Sequence, residues 1–369
     1  MDHTSSTGLQ TDLPPLPNTD QHLLTLEQFV LDQQARLPHA TGAFTALIRD
    51  LSVAAKVVNH HIRRAGILDV LGTSGLVNVQ GEAQKTLDVI ADSAFTRALK
   101  RGGACCLIGS EEHAAPTVLR TRAEVRERYA VFFDPLDGSS NTDVNASVGS
   151  IFSIYSIPRD VSLDAPASTI LEAAMQPGTA QVAAGYVAYG AATLLVYTTG
   201  DGVNGFTLDP SLGEFVLTHP DLTLATPPRI YAINEADVED FPPGMQAYVA
   251  WLKRGDARAD ERMRGRYIGS LVSDVHRNVL TGGVYAYPAS VLHPEGRLRL
   301  LYEANPMAFL VEQAGGAASD GAQRILEVNP ERLHQRTGLF IGTTELVEAA
   351  EAFLAGHSER VPNTPPPAA

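Results

Sequence analysis

The chain has 369 residues, 44% of them hydrophobic and 19% charged, with a net charge of −14 and a pI of about 5.2. That composition excludes a disordered chain and supports a core large enough for two domains. The absence of a basic stripe argues against a nucleic-acid partner, and no run of 18 apolar residues is present to span a membrane.

In chain order, residues 1–20 read as a disordered, Pro-rich leader with neither an apolar signal core nor a transit-peptide pattern. Thr25 and Gln28 form a T-x-x-Q capping signal that opens a short helix. Phe44, Leu47, Ile48, Leu51, Ala55, Val58 and Ile62 recur at helical spacing, and Gly66 is the expected stop. Leu87, Ile90, Ala91, Ala94, Phe95 and Ala98 mark another helix over 86–100, stopped by Gly102 and Gly103, so the first hundred residues read as largely helical. The two cysteines, Cys105 and Cys106, are adjacent, make no disulfide framework and fit a reducing compartment. Six β-type runs follow: YAVFF (129–133), SIFSIY (150–155), VAAGYVAYG (182–190), TLLVYTT (193–199), GFTLD (205–209) and GEFVLTH (213–219). Their spacing predicts an antiparallel or mixed sheet of hairpins. Strands and helices then alternate: RIYAIN, helices over 243–254 and 267–281, VYAYP, LRLLY (298–302), a helix from about 306, GLFIG (338–342) and a helix over 345–355. The expected organisation is two layered α/β domains, 21–222 and 223–357, followed by a disordered tail, 358–369.

The stretch FDPLDGSSN (133–141) concentrates the chemistry. Asp134 and Asp137 sit at the end of an apolar run, where a carboxylate is costly to bury without a cation or hydrogen bonds. Two carboxylates about 4 Å apart repel by roughly 4 kcal/mol at an effective dielectric near 20. A hard divalent cation offsets that repulsion, and Asp, Glu and a backbone carbonyl form the ligand set of Mg²⁺ or Mn²⁺. Gly138, Ser139 and Ser140 add successive N–H donors without bulk, the composition of an anion-binding nest. Together they point to metal-assisted phosphoryl transfer to water, with Asp88 or Glu112 available to take the water's proton. Taken singly, the other acids say less. Glu111-Glu112 alone is a solvated loop pair, and Asp88 alone is a first-turn acid favoured by the helix dipole. Glu303 alone is a capping or ion-paired residue at a strand end, before an expected Asn305 N-cap and Pro306 helix start.

The chain resembles the class I fructose-1,6-bisphosphatases, within the inositol-phosphatase-like superfamily of metal-dependent, lithium-sensitive phosphatases. FDPLDGSSN is the superfamily motif in its sugar-bisphosphatase form. YIGSLVSDVHRN (267–278), LRLLYEANPMAFLVEQAGGAASDG (298–321) and HQR (334–336) narrow it, and the match runs from about 21 to 356. The resemblance implies a layered α-β-α-β-α sugar phosphatase fold of two α/β domains. It implies a cytoplasmic phosphoric monoester hydrolase of carbohydrate metabolism and gluconeogenesis, assembled as a homotetramer. Its reaction removes the 1-phosphate of D-fructose 1,6-bisphosphate with Mg²⁺, or Mn²⁺ as the alternative, two or more ions per subunit. Glu111, Glu112, Asp134, Asp137 and Glu303 match the metal ligands, with the Leu136 carbonyl completing a site. Asp88 matches the aspartate that works with Glu112 to activate water. Asp137, Gly138, Ser139 and Ser140 match the cradle of the departing phosphate, and Asn234, Tyr267 and Tyr287 the 6-phosphate pocket. Arg266 matches an arginine reaching that pocket from a neighbouring subunit. His276 and Arg277 look catalytic but read better as structural hydrogen-bonding residues at their helical spacing.

Several positions depart from the family pattern. Arg297 replaces a substrate-binding Lys; it is a planar fork and not a point charge, so altered affinity is expected. Glu82 stands for Asp in a stretch the family uses as a mobile loop, and Asp237 for a Tyr near the 6-phosphate. Thr41, Gly42 and Thr45, with Arg128 and Tyr129, resemble a helix-start site for the phosphate of AMP, an inhibitor. There Ala43 replaces an acid and Ser156 an Arg, so weaker AMP inhibition is expected. The segment after Tyr155 has no cysteine, so the redox switch of plastid relatives is not expected. The competing activity is a sedoheptulose-1,7-bisphosphatase or a dual-specificity sugar bisphosphatase. A catalytically dead sugar-phosphate sensor would need a lost ligand or base, and none is lost.

Overall fold

The T-x-x-Q signal closes as a capping box: Gln28 N–H donates to Thr25 Oγ1 at 3.3 Å, and Thr25 N–H to Gln28 Oε1 at 3.1 Å. It opens α1 (Leu26–Ala35). The apolar stripe through Leu47, Leu51 and Val58 is the buried face of α2 (Ala43–Ile62), which ends four residues before Gly66 and passes into turns over 63–68. A hairpin, β1 (Thr73–Val77) and β2 (Ala83–Lys85), then interrupts the expected helical region, and α3 (Thr86–Gly102) ends on left-handed Gly103. The computed structural model describes residues 23–35, 42–68, 70–77, 83–119, 128–254 and 262–366. Thr41, Glu82 and the leader 1–20 lie outside the described residues.

The six β-type runs supply six of the eight strands of one large sheet. Its strands are β3 (Cys105–Ser110), β4 (Thr117–Val118), β5 (Tyr129–Asp137), β6 (Val148–Ser156), β7 (Gln181–Tyr189), β8 (Thr193–Thr198), β9 (Asn204–Asp209) and β10 (Glu214–His219). They lie in the order β10-β9-β8-β7-β6-β5-β3-β4, antiparallel except where β3 runs parallel to β5. A helix, α4 (Ala167–Ala174), links β6 to β7. The second half carries a five-stranded sheet in the order β12-β11-β13-β17-β15. Those strands are β11 (Ile230–Ala232), β12 (Arg264–Gly265), β13 (Gly283–Tyr287), β15 (Ala317–Ser319) and β17 (Leu339–Gly342). A two-stranded ribbon joins β14 (Leu298–Arg299) to β16 (Arg336–Thr337). Its helices are α5 (Pro243–Leu252), α6 (Leu271–Thr281), α7 (Asn305–Gln313) and α8 (Thr344–Leu354).

Packing stacks these elements in five layers. Leu51, Phe95 and Leu99 from α2 and α3 bury against Phe133 and Phe152 on one face of the large sheet. Val272 and Val275 of α6 and Met307 and Leu310 of α7 fill the space between Ile151 and Tyr186 on one sheet and Tyr285 and Ile341 on the other. Trp251 of α5 and Phe353 of α8 close the far side over Val284 and Phe340. Each such side chain contributes roughly 1.5–3 kcal/mol on burial. The result is the α-β-α-β-α layering expected from the resemblance. No helix among the described residues is long and apolar enough to cross a membrane.

Three expectations are corrected. The helix expected from 267 starts at Leu271, because Gly269 takes φ 82° and Ser270 caps the helix through Ser273 N–H. The expected strand LRLLY is a strand only over Leu298–Arg299; Leu300–Ala304 form a π-helical turn that runs into α7. Asn305 is therefore not an N-cap: it is helical, and its buried amide donates to the Tyr155 hydroxyl at 3.1 Å. A short apolar run has no periodicity that separates a buried strand from a buried helical turn. The tail also departs from expectation as far as residue 366: Ser358–Arg360 form a 3-10 turn, and the Trp251 indole donates to the Pro362 carbonyl at 2.7 Å.

Candidate active site

The carboxylates converge because β5 is bulged. On a regular strand, residues three apart face opposite sides. Asp134 pairs with Ile151 and Asp137 with Gly149, so β5 spends three residues where β6 spends two. The extra residue turns Asp137 back to the face of Asp134. Pro135, which has no N–H to give a ladder, falls in the bulge. Gly138 follows at φ 71°, and a Cβ there would lie 2.7 Å from the Ser270 side chain, so only glycine fits. Beside them, β3 runs parallel to β5 and Glu111 N–H donates to the Phe133 carbonyl at 3.2 Å, which seats Glu111 next to Asp134. The π-helical turn brings Glu303 in from the second half of the chain.

One oxygen each from Asp134, Asp137 and Glu303 lie within 4.8 Å of one another. A cavity of about 310 Å³ is lined by these three with Asp88, Glu111, Glu112, Leu136, Gly138, Ser139 and Ser140, joined by Lys85 and Arg299. All the candidate catalytic and metal-ligating residues therefore meet at one place. Burial raises the pKa values of four of these carboxyls: Asp88 and Asp137 to about 6, Glu112 to about 7 and Glu303 to about 8. Asp134 goes well above the carboxylate range, pushed by burial and then by the charges of Glu111, Glu303 and Asp137. Buried, mutually repelling carboxylates with oxygen donors only are the environment a hard divalent cation neutralises, so the residues fit Mg²⁺ or Mn²⁺. The sign of the pH effect follows. An acid whose pKa is raised by folding binds protons more tightly when folded, so stability falls as pH rises from about 4 toward 8. The metal-free chain should melt at a higher temperature at pH 5 than at pH 8, and Mg²⁺ or Mn²⁺ should close most of that gap; thermal melts in chelator and in metal check this.

Two residues here were not anticipated. Arg299, with a side chain 9% exposed, pairs with Glu111 at 2.8 Å and lies 3.9 Å from Glu303, while its backbone N–H donates to Glu303 Oε2 at 2.5 Å. Gln84, on β2, donates its amide to Glu112. Arg299 stands in the LRLLY run and Gln84 two residues after Glu82, but neither carries a metal-ligand or nucleophile signal. Asp88 accepts a hydrogen bond from Lys85 N–H at 2.8 Å and another from Ser139. Asp137 accepts from Ser270 Oγ at 2.5 Å, Leu271 N–H at 3.1 Å and Val272 N–H at 2.9 Å, so it also caps α6 and couples the two halves of the chain.

A second cavity, of about 390 Å³, adjoins the first through Asp137, Arg299 and Glu303. Tyr267, Tyr287 and Arg297 line it, with Tyr285, His293 and Arg336 in addition. The Arg297 guanidinium sits 5.6 Å from the centroid of the Tyr287 ring. Asn141 links the two regions, its amide donating to the carbonyls of Ser147 and Ile268, each at 3.2 Å. Asn234 and Arg266 do not line this cavity. The Asn234 amide donates to Asp237 at 2.9 Å, and Arg266 is exposed, its guanidinium on the Gly265 carbonyl at 3.0 Å. His276 and Arg277 have structural partners: His276 meets the Tyr186 hydroxyl at 2.9 Å, and Arg277 donates to the Arg266 carbonyl and to Asp274.

At the helix start of α2, Gly42 has φ 80°, the Thr45 hydroxyl donates to Gln34, and the Tyr129 ring packs against Phe44. Arg128 is turned onto the carbonyls of Val161 and Arg159, at 2.5 and 3.3 Å.

A buried acidic pocket beside a glycine-serine turn, on an α-β-α-β-α scaffold, defines a metal-dependent phosphatase. Family models for the fructose-1-6-bisphosphatase N-terminal and C-terminal domains match residues 24–220 and 224–355. A class 1 fructose-1,6-bisphosphatase of Salinibacter ruber is 61% identical over 356 residues, covering 96% of this chain and 98% of that protein. One from Cytophaga hutchinsonii is 49% identical over 330 residues, covering 89% and 94%. The Leishmania major fructose-1,6-bisphosphatase in holo form superposes with a TM-score of 0.84 at 42% identity, over 90% of this chain and 99% of that one. The same Leishmania enzyme in its T-state gives 0.78 at 41% identity, with the same coverage. The chain belongs to the fructose-1,6-bisphosphatase family.

Proposed function

We propose that the chain hydrolyses the 1-phosphate of D-fructose 1,6-bisphosphate to fructose 6-phosphate and inorganic phosphate. The observation that carries this reading is the pair of adjoining cavities, one acidic and one lined by Tyr267, Tyr287 and Arg297, which share Asp137, Arg299 and Glu303. A sugar with a phosphate at each end spans such a pair. Glu111, Glu112, Asp134, Asp137, Glu303 and the Leu136 carbonyl would hold two or more Mg²⁺ or Mn²⁺ ions. Bound there, such ions polarise a phosphate oxygen and lower the pKa of water. The N–H groups and hydroxyls of Gly138 to Ser140 hold the leaving phosphate. Asp88, tied to Lys85 N–H and Ser139, is placed beside that cradle to take a proton from water together with Glu112. Tyr267, Tyr287 and Arg297 bind the 6-phosphate, with Asn234 and a neighbouring subunit's Arg266 completing the pocket on assembly; the exposure of Arg266 supports that role.

The same reading places the chain in the cytoplasm as a homotetramer serving gluconeogenesis. The domains divide near 222–223. AMP inhibits, but weakly, because Arg128 is committed to the carbonyls of Arg159 and Val161. A titration of AMP against initial rate tests this; no response at millimolar AMP removes the site. The alternative substrate is sedoheptulose 1,7-bisphosphate, whose chemistry at the acidic cavity is the same. The test is kcat/KM on both bisphosphates with Mg²⁺, with fructose 1,6-bisphosphate expected to be the better substrate. An equal or higher value for sedoheptulose bisphosphate overturns the assignment of the sugar.

A further inference from the structure

The second cavity is bounded on one side by the loop between β13 and β14, and that loop delivers His293. The loop backbone is tied down around this residue. Ser290 N–H donates to the His293 carbonyl at 3.1 Å, His293 N–H returns to Ser290 Oγ at 3.1 Å, and Gly296 N–H donates to the His293 carbonyl at 2.9 Å. Val291 N–H is held by the Asp240 carbonyl at 3.0 Å. Gly296 has φ 80°, and a Cβ there would lie 2.2 Å from the Thr337 backbone, so the loop is pressed against β16. The side chain is the opposite case. His293 is half-buried and lines the cavity, yet among the described residues its imidazole has no hydrogen-bond or ion-pair partner.

A fixed backbone presenting an uncommitted ring donor to a cavity is the arrangement of a binding residue. The cavity itself is polarised. Asp137, Glu303 and Arg299 form the end it shares with the acidic site, two carboxylates to one guanidinium, while the guanidinium groups of Arg297 and Arg336 line the rest beside His293. A phosphate is repelled at the carboxylate end and drawn to the cations. We infer that His293 is a further substrate-binding residue, donating a hydrogen bond to the phosphate remote from the scissile one. An imidazole carries a ring N–H in either protonation state, so the contact needs no particular charge. The inference rests on the functional reading above, and it adds a specificity contact from a loop that the motifs did not single out.

The test compares His293→Ala and His293→Gln with the unaltered chain, in Mg²⁺, on fructose 1,6-bisphosphate. His293→Ala should raise KM by roughly tenfold, the scale of one hydrogen bond to a charged group, with kcat within about twofold. The Ki of fructose 6-phosphate should rise by a similar factor, while inhibition by inorganic phosphate stays unchanged, because that ion binds the other cradle. His293→Gln, which keeps a donor, should recover part of the loss. Unchanged KM and unchanged fructose 6-phosphate Ki in His293→Ala overturn the inference. So does a parallel loss of inorganic phosphate binding, which marks a general distortion. If the unaltered chain does not hydrolyse the bisphosphate at all, the functional reading fails first. Calorimetric binding of fructose 6-phosphate then decides His293 separately: equal affinity in the two proteins refutes it.

Discussion

Asp134→Asn should abolish phosphate release, by on the order of 10³-fold or more, and should at the same time raise the melting temperature of the metal-free chain at pH 8. The two effects have one cause. Asp134 is 2% exposed and its carboxyl is pushed far up by burial and by Glu111, Glu303 and Asp137. Without a cation, its charge is a liability that the amide removes at nearly constant shape. With a cation, the same charge is a ligand, and the amide is a poor replacement. Melting curves in chelator and in Mg²⁺ separate the terms: the variant should gain in the first and lose its response in the second. A variant that loses stability in chelator contradicts the picture of repelling carboxylates.

Arg299→Met is the converse case. It removes a buried guanidinium set between Glu111 and Glu303, leaving those carboxylates without their nearest protein cation. Removing one partner of a buried pair typically costs about 3–5 kcal/mol, so a clear drop in melting temperature is expected in chelator at pH 8. The drop should shrink at pH 5, where Glu303, raised to about 8, is protonated, and it should shrink again in Mg²⁺. Adding Glu303→Gln to Arg299→Met should restore part of the lost stability, since the two residues share one interaction. Equal losses at both pH values, with and without metal, would show that Arg299 acts through packing and not through charge.

Much of the site was legible because its chemistry is local in the chain. FDPLDGSSN shows two carboxylates and an anion nest without any structure, and the six β-type runs show the large sheet by alternation and turn chemistry. What stayed hidden was geometric. The bulge that turns Asp134 and Asp137 to one face is a matter of register against β6, and no residue of β5 announces it. The π-helical turn at Leu300–Ala304 overlaps the expected strand LRLLY (298–302), because a short buried run looks the same in both forms. Arg299 gives no warning, because an arginine inside an apolar run carries no ligand signal in a chain whose basic residues are nearly all Arg. β3 leaves no periodic signal, because CCLIGS, buried on both faces, shows no alternation. Arg266 lies outside the cavity lining of the single chain, as a residue acting from a neighbouring subunit would, and Asn234 lies outside it too, held by Asp237.

The most direct test is the release of inorganic phosphate from fructose 1,6-bisphosphate by the purified chain, with Mg²⁺ and again with excess chelator. The expected result is rapid release of one phosphate per sugar with Mg²⁺, none above background in chelator, and recovery on adding the metal back. Release that persists undiminished in chelator, or no release with Mg²⁺, contradicts the account.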